Sequence, residues 1–464
     1  MEVLFPFIIS TYSAHIIFPQ GVGKVALVQN ITTYFVTVAA LGIPNYGIKK
    51  IGSVQNDPKE RDKVFTELFI INLISTLVCV AAFFAMISIF PYFRGNNLYL
   101  VFSSLIILNI GKIDWLYSGL EEYKFIAIRS IAVKTLCLIA LPFFVRKDTD
   151  ILPYAIILCV AIVGNYVLNL ISFPRFTKFT FKGLNFKRHL KFIFILLASV
   201  CATEIYTLLD STMVGSICGE TDLGYYSYAV YSVRVAHAMV IASCAVMLPR
   251  LSLYWKENRT DDFNMLATKG MKLVLVLSIP AFLGLEALSD RVVPLLFGEP
   301  FMPSSLTLRI LAVLVIVFSV AYIGGHVILI ASNREKFTMF AAFAGAVSNF
   351  VLNLILINLI GYNGAAIASV TAETIVTTVL LVSARKQVKY FFNAWFFIST
   401  ILSSAIMFFV VYVLKSVIQH RLVSVIVCTV FGIAVYFGLQ LLFKNDTVLL
   451  IKDRVLKRFG RVHK

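Results

Sequence analysis

A chain of 464 residues that is 59% hydrophobic and 14% charged, with mean hydropathy +0.88, is not an ordinary soluble protein, in which about 25% of residues carry charge. Its formal charge of +17 would suit a nucleic-acid partner, but the placement of Lys and Arg explains the excess without one. The seven cysteines lie in or beside apolar runs and read as buried small hydrophobes rather than a disulfide frame. No Cys/His cluster has metal-ligand spacing, and no cofactor is expected.

Apolar runs of roughly 20 residues, each long enough to cross a bilayer, occur at 3–18, 25–47, 64–90, 97–118, 126–145, 151–173 and 191–217. They continue at 224–248, 271–289, 304–331, 337–360, 363–383, 393–414 and 422–443. The pattern predicts an all-α polytopic membrane protein of about fourteen transmembrane helices. The first run is short and lacks the basic flank and small-residue cleavage site of a signal peptide, which suggests a trimmed start.

Loop charge sets the orientation. One set of loops carries Lys49, Lys50, Lys59, Arg61 and Lys63, then Lys124 and Arg129, then a basic run from Arg175 to Lys191. The same side takes Arg250, Lys256, Arg259, Lys269 and Lys272, then Arg334 and Lys336, then Arg385, Lys386 and Lys389, and the basic tail. The opposite loops carry only Lys24, Arg94, Arg146, Lys147, Arg291, Lys415 and Arg421. Both termini are therefore expected in the cytoplasm. In the tail, Val448, Ile451, Val455 and Phe459 share one face and Lys452, Arg454, Lys457 and Arg458 lie largely off it, which predicts an amphipathic helix on the anionic leaflet.

Four cations remain inside the runs: Lys112, Lys134, Arg234 and Arg309. The acids there include Asp114, Glu204, Asp210 and Glu373. Intramembrane charges are costly and face a bundle interior or a wet cavity. One reading is internal pairing, for example Arg234 with Asp210. The other is a shared hydrated cavity. Ser227, Tyr231, Arg234 and His237 share a helical face, and similar stripes run through Asn30, Thr33 and Thr37; Asn109 and Lys112; and Asn165, Asn169 and Ser172. Asn349 with Asn353, and Glu373 with Thr377, extend the pattern. Polar residues also glue helices together, but six striped runs exceed that need, so the cavity is expected. His237 or His326 taken singly reads as a packing residue.

The chain also repeats. "LEEYKFIAIRSIAVKTLCLIA" (120–140) and "SNREKFTMFAAFAGAVSNFVL" (332–352) align their Lys-Phe pairs at an offset of 212, and "GVGKVALVQNITTYF" and "TDLGYYSYAVYSVRV" align a glycine at 201. An even number of runs separates each pair, which predicts parallel repeats about an axis along the membrane normal. Two six-helix lobes follow, 1–173 and 191–383, joined by a basic linker at 174–190. Two further helices occupy 384–443, before a tail at 444–464.

Three segments carry a resemblance: "FPQGVGKVALVQNITTYFVTVAALGIPNYGIKKIG", "IDWLYSGLEEYKFIAIRS" and "DSTMVGSICGETDLGYYSYA". Together they resemble the O-antigen (Wzx-type) flippases of the multidrug/oligosaccharidyl-lipid/polysaccharide exporter superfamily, over nearly the whole chain. The resemblance implies two pseudo-symmetric lobes around a central cavity in the bacterial inner membrane. It also implies that undecaprenyl-pyrophosphate-linked oligosaccharide moves from the cytoplasmic to the periplasmic leaflet, alongside a polysaccharide polymerase and a chain-length regulator. Where members usually carry an arginine followed by Leu-Gly-Pro-Glu, this chain has "HIIFPQG", with His15 at the arginine and Phe18 at the glycine.

Such a cargo carries phosphate charge through hydrocarbon, so its path needs fixed cations and hydrogen-bond partners. Arginine binds phosphate bidentately and keeps its charge. Arg234, with Lys112, Lys134 and Arg309, is the candidate for the pyrophosphate, and Tyr231, His237, Asn165 and Asn169 for pyrophosphate or sugars. Asp210, Glu204, Glu373 and Asp114 are candidates for ion coupling or charge pairing. No bond need break, no GxxxxGK[ST] loop occurs, and no enzyme is expected. The competing readings are a drug or cation antiporter, a peptidoglycan-precursor flippase, and a membrane glycosyltransferase or O-antigen polymerase. The polymerase would need a larger outer loop than "SDRVVPLLFGEPFMPSS".

Overall fold

A computed structural model describes residues 4–244, 246–450 and 452, and every regular element among them is helical. The chain packs as two units, Met1–Gly224 and Tyr225–Lys464.

The first unit contains α1 (Leu4–Ala40), α2 (Ile43–Gly52), α3 (Pro58–Ile89), α4 (Asn97–Ile107), α5 (Asp114–Gly119), α6 (Tyr123–Phe144), α7 (Ile151–Ser172) and α8 (Lys187–Ile217). Local chemistry sets several starts. The Asp57 carboxylate accepts from the amides of Lys59 and Glu60, with Pro58 in the first turn of α3. Asn96 caps α4 through the Leu98 amide.

α1 is interrupted at Phe18, whose φ of 57° and ψ of 176° precede Pro19. Its two halves pass their neighbours in opposite senses. Going forward, Phe5 lies under the Lys134 ammonium at 5.9 Å and the Tyr12 hydroxyl donates to the Val145 carbonyl at the end of α6. Beyond the break, Gly23 lies against Glu220, Leu27 against Gly215 and Gly42 against Leu196, so the chain descends α8 toward its start. Phe18 is thus the turn of a helical hairpin.

The second unit takes most of α9 (Glu220–Ala242), then α10 (Met247–Lys256), α11 (Thr260–Phe297), α12 (Ser304–Ala312) and α13 (Leu314–Ala321). A π-helical segment, Tyr322–Val327, leads to α14 (Ile328–Ala331), and α15 (Lys336–Ile360), α16 (Tyr362–Ala384), α17 (Ala394–Val417) and α18 (Arg421–Leu442) complete it. The last two helices pack on α11, where Val276, Phe396, Met407, Val411 and Tyr436 form one apolar cluster. The buried Tyr436 hydroxyl donates to the Val276 carbonyl at 2.8 Å.

The same docking recurs in each unit. After α7 the chain returns along the start of α3, where Asp62 accepts from the Thr177 hydroxyl (2.6 Å) and Lys178 amide (2.9 Å), and the Thr66 hydroxyl from the Thr180 amide (3.0 Å). After α16 it returns along α11, where Asn264 accepts from the Lys389 amide (2.9 Å) and Thr268 from the Phe391 amide (3.2 Å). Asn264 and Thr268 lie 202 residues beyond Asp62 and Thr66.

Among the described residues twelve helices are long and apolar enough to span a membrane, or thirteen if Glu220–Ala242 and Met247–Lys256, bent by 50°, form one span. The expectation was about fourteen. That count takes Phe5–Gly52 as one element, and the hairpin at Phe18 divides it into the two expected runs. Two placements also differ. α8, expected to open the second lobe, packs in the first unit, with Tyr34 bonded to Thr212 and Tyr46 to His189. Arg129, counted among loop cations, lies inside α6. The amphipathic tail helix falls, at 451 and from 453 onward, outside the described residues.

Candidate functional site

In the first unit the rod formed by α4 and α5 is broken. α4 ends in a 3-10 turn, Leu108–Gly111, and Lys112 takes φ −74° and ψ 56° before α5 resumes at Asp114. The break presents Lys112 and Asp114, two of the expected site residues, together. Neither Lys112 nor the half-buried Glu204 of α8 has a hydrogen bond or ion pair among the described residues, but Glu204 and Asp114 are the acids that act on the Lys112 ammonium through space. Across α1 and α8, the Tyr34 hydroxyl lies 3.0 Å from that of Thr212, within the field of Glu204 and Asp210. Lys112, Asp114, Glu204, Asp210 and Tyr34 thus belong to one polar region of this unit.

Arg129 is the residue that sequence reasoning missed. Its side chain is 5% exposed. Nη2 donates to Asp114 at 2.5 Å, Nε to the Asn165 side-chain oxygen at 3.1 Å, and Nη1 to that of Asn169. Asn165 and Asn169, proposed above as sugar or pyrophosphate contacts, are instead occupied. Asn165 donates back to the Ala161 carbonyl, and Asn169 donates to the Gly111 carbonyl at 2.9 Å. A signal was present: Arg129, Val133, Cys137 and Leu141, spaced by four, are the buried residues of α6. Lys134, on another face, is half-buried beside Phe5.

In the second unit Arg234 is exposed on α9 and makes no hydrogen bond or ion pair among the described residues, while Tyr231 and His237 are half-buried. The His237 ring lies 5.2 Å from that of Phe318, and its Nε2 is buried without a hydrogen-bond partner among the described residues. Arg309 lies elsewhere: its Nε donates to Ser289 at 2.8 Å and its Nη2 lies 4.0 Å from Asp290, which Lys415 binds at 3.0 Å. With Arg291 bonded to the carbonyls of Gln419 and Lys415, Arg309 joins residues assigned to the outer loops and is held at an end of the helices. Glu373 is half-buried on α16, where its carbonyl accepts from Thr377. Asn349 and Asn353, both buried, bond to each other at 3.0 Å and serve helix packing. The offset of 212 carries Lys112 and Asp114 onto Gly324 and His326, inside the π-helical segment. Both repeats keep an irregular helix there, while only the first keeps the charges.

An all-helical fold of paired repeats, with ionisable groups at helix breaks, defines a polytopic membrane protein. Solved structures share it. The lipid II flippase MurJ in an inward-closed conformation matches with TM-score 0.66 at 18% identity, over 96% of this chain and 100% of that one. An inward-facing multidrug resistance MATE family transporter of the MOP superfamily matches with TM-score 0.66 at 12% identity, over 83% and 94%. Residues 1–255, more than half of the chain, match the family described as polysaccharide biosynthesis protein, and the chain belongs to that family. A Haloferax volcanii protein named as a low-salt glycan biosynthesis flippase is 27% identical over 52% of this chain and 51% of its own length, so that match spans about half of the relative. A Shigella dysenteriae protein named as an O-antigen transporter is 21% identical over 82% of this chain and 95% of its own.

Proposed function

We propose that this protein is a flippase for a lipid-linked oligosaccharide, moving an undecaprenyl-pyrophosphate-linked repeat unit of a surface polysaccharide from the cytoplasmic to the outer leaflet by alternating access. Family membership and the names of the relatives support the cargo class. The observation that carries the reading here is that two cations within the helical spans, Lys112 and Arg234, have no hydrogen bond or ion pair among the described residues. An unpaired cation in hydrocarbon is expensive, and an anionic headgroup in transit would be its partner. Lys112 on the first unit and Arg234 on the second are each a phosphate-binding candidate, and the hydroxyl of Tyr231 is a candidate for the sugars.

The remaining assignments belong to the same proposal. The protein sits in the bacterial inner membrane with both termini cytoplasmic. It makes and breaks no covalent bond, and its product passes to a polysaccharide polymerase and chain-length regulator. The antiporter reading gains less support: a cation cargo favours an acidic path, and Lys112, Arg129, Lys134 and Arg234 equal Asp114, Glu204, Asp210 and Glu373 in number.

The test is complementation of a deletion strain, scoring membrane abundance and surface polysaccharide separately. Wild type restores export. Arg234→Ala and Lys112→Ala keep abundance and lose export, and lipid-linked oligosaccharide accumulates inside. Arg234→Lys keeps part of the function, since charge survives without the bidentate fork. Full export by the Lys112→Ala, Arg234→Ala double variant would overturn the assignment of these cations to the cargo.

A further inference from the structure

We propose that Arg129 is a positioning residue: through Asp114 and Asn169 it holds the break between α4 and α5 so that Lys112 is aimed at the pyrophosphate of the cargo. This inference rests on the flippase reading above.

The break has a structural cost that neighbours offset. Interrupting a helix inside a membrane frees backbone groups that only protein or enclosed water can satisfy. Here the Gly111 carbonyl receives Asn169 Nδ2 at 2.9 Å, and the Tyr117 hydroxyl, just beyond the break, donates to the Asn169 carbonyl at 2.8 Å. Asn169 therefore ties both sides of the break to α7. The approach is close: a methyl group at Gly111 would lie 2.6 Å from the Tyr166 carbonyl oxygen. Arg129 fixes Asn169 in turn by donating to its side-chain oxygen, which leaves Nδ2 facing Gly111.

The same guanidinium takes up the Asp114 charge at 2.5 Å. Asp114 lies two residues from Lys112 and would otherwise be the nearest carboxylate in sequence to neutralise it. Arg129 is too buried to meet a cargo, and its three nitrogens are already engaged. Lys112 is half-buried and makes no hydrogen bond or ion pair among the described residues. The arrangement divides two tasks: a buried arginine shapes the site and an unoccupied lysine serves it. A shift of about 1 Å in such a group is enough to cost on the order of a hundredfold in function.

The experiment uses the full chain in lipid nanodiscs, with geranylgeranyl pyrophosphate as the probe, titrated calorimetrically, and thermal unfolding read in parallel. Lys112→Ala is expected to abolish binding and Lys112→Arg to retain it. Arg129→Ala leaves Asp114 without its partner and risks misfolding, so the working variant is Arg129→Leu with Asp114→Asn. It is expected to fold and to raise Kd about tenfold or more. Asn169→Ser, which keeps the Arg129–Asp114 pair, is expected to weaken binding in the same direction.

Unchanged Kd in the folded Arg129→Leu, Asp114→Asn protein overturns the inference, as does unchanged binding by Lys112→Ala. If that double variant does not fold, Asn169→Ser decides alone, and wild-type Kd there overturns it. These results leave the flippase reading standing. Wild type that neither binds the probe nor restores polysaccharide export sinks the flippase reading itself.

Discussion

Gly23 and Gly224 are reciprocal. A methyl group on Gly23 would lie 1.6 Å from the Glu220 carbonyl oxygen, and one on Gly224 would lie 2.2 Å from the Pro19 carbonyl oxygen. Glu220 follows Pro19, and Gly224 follows Gly23, by the same 201 residues that relate the two repeats. The glycines aligned by the repeat are the ones that let the two backbones meet.

Either Gly23→Ala or Gly224→Ala is therefore expected to reduce the folded protein in membranes severely, because the obstacle is backbone and cannot rotate away. The double variant is expected to be no better, since each methyl meets a different carbonyl. Abundance and detergent melting temperature measure this; a wild-type melting curve for Gly23→Ala would refute the contact.

Phe18 is expected to respond in the opposite direction. Its φ of 57° with ψ of 176° is a region open to glycine and strained for other residues by about 1–3 kcal/mol. Phe18→Gly, which places here the residue usual in resembling proteins, should raise the melting temperature, with unchanged export. The ring is 42% exposed, so little packing is lost. A lower melting temperature would show that the ring contributes more than the strain costs.

Glu67 anchors the basic linker. It is fully buried and accepts from the Asn185 amide (2.5 Å) and Arg188 (2.6 and 2.9 Å), with His189 Nε2 at 2.7 Å; Tyr46 closes the far side of that imidazole at 2.8 Å. Glu67→Ala strands this cluster and is expected to destabilise the protein by about 3–5 kcal/mol, the usual result of breaking a buried pair. Chemical denaturation of the purified protein checks the magnitude. A change below about 1 kcal/mol would mean that the linker is held by Asp62 and Thr66 alone.

Orientation is tested by labelling single cysteines in intact cells. Positions Asn97, Thr149 and Glu220 should react with an impermeant maleimide, and Asp57, Gly183 and Asn258 should not. Labelling at Gly183 would reverse the assignment of the linker to the cytoplasm.

The spanning helices were legible because a bilayer imposes one requirement on every crossing segment, a long apolar run with its backbone bonds satisfied internally. The repeat was legible for a related reason: equivalent glycines and Lys-Phe pairs occupy equivalent structural positions, so their offsets survived in the letters. The resemblance in "IDWLYSGLEEYKFIAIRS" even contained Asp114 and Arg129 together. Its meaning was not readable, because a basic residue a turn or two inside a helix is indistinguishable by count from a loop cation.

Sequence by itself determined the helical class, the membrane setting and the family, since these depend on composition, run length and motifs that are local to the chain. Tertiary structure decided which polar residues are engaged and which are open. Asn165 and Asn169 looked like sugar contacts and are taken by Arg129; Arg309 looked like a cavity cation and is held by Ser289 and Asp290; Lys112 has no bonded partner among the described residues. A charge or amide in a helix has the same helical face whether its partner is a neighbouring helix or a passing ligand. Only the approach of another element, here α5 and α7 on α6, settles which of the two it meets.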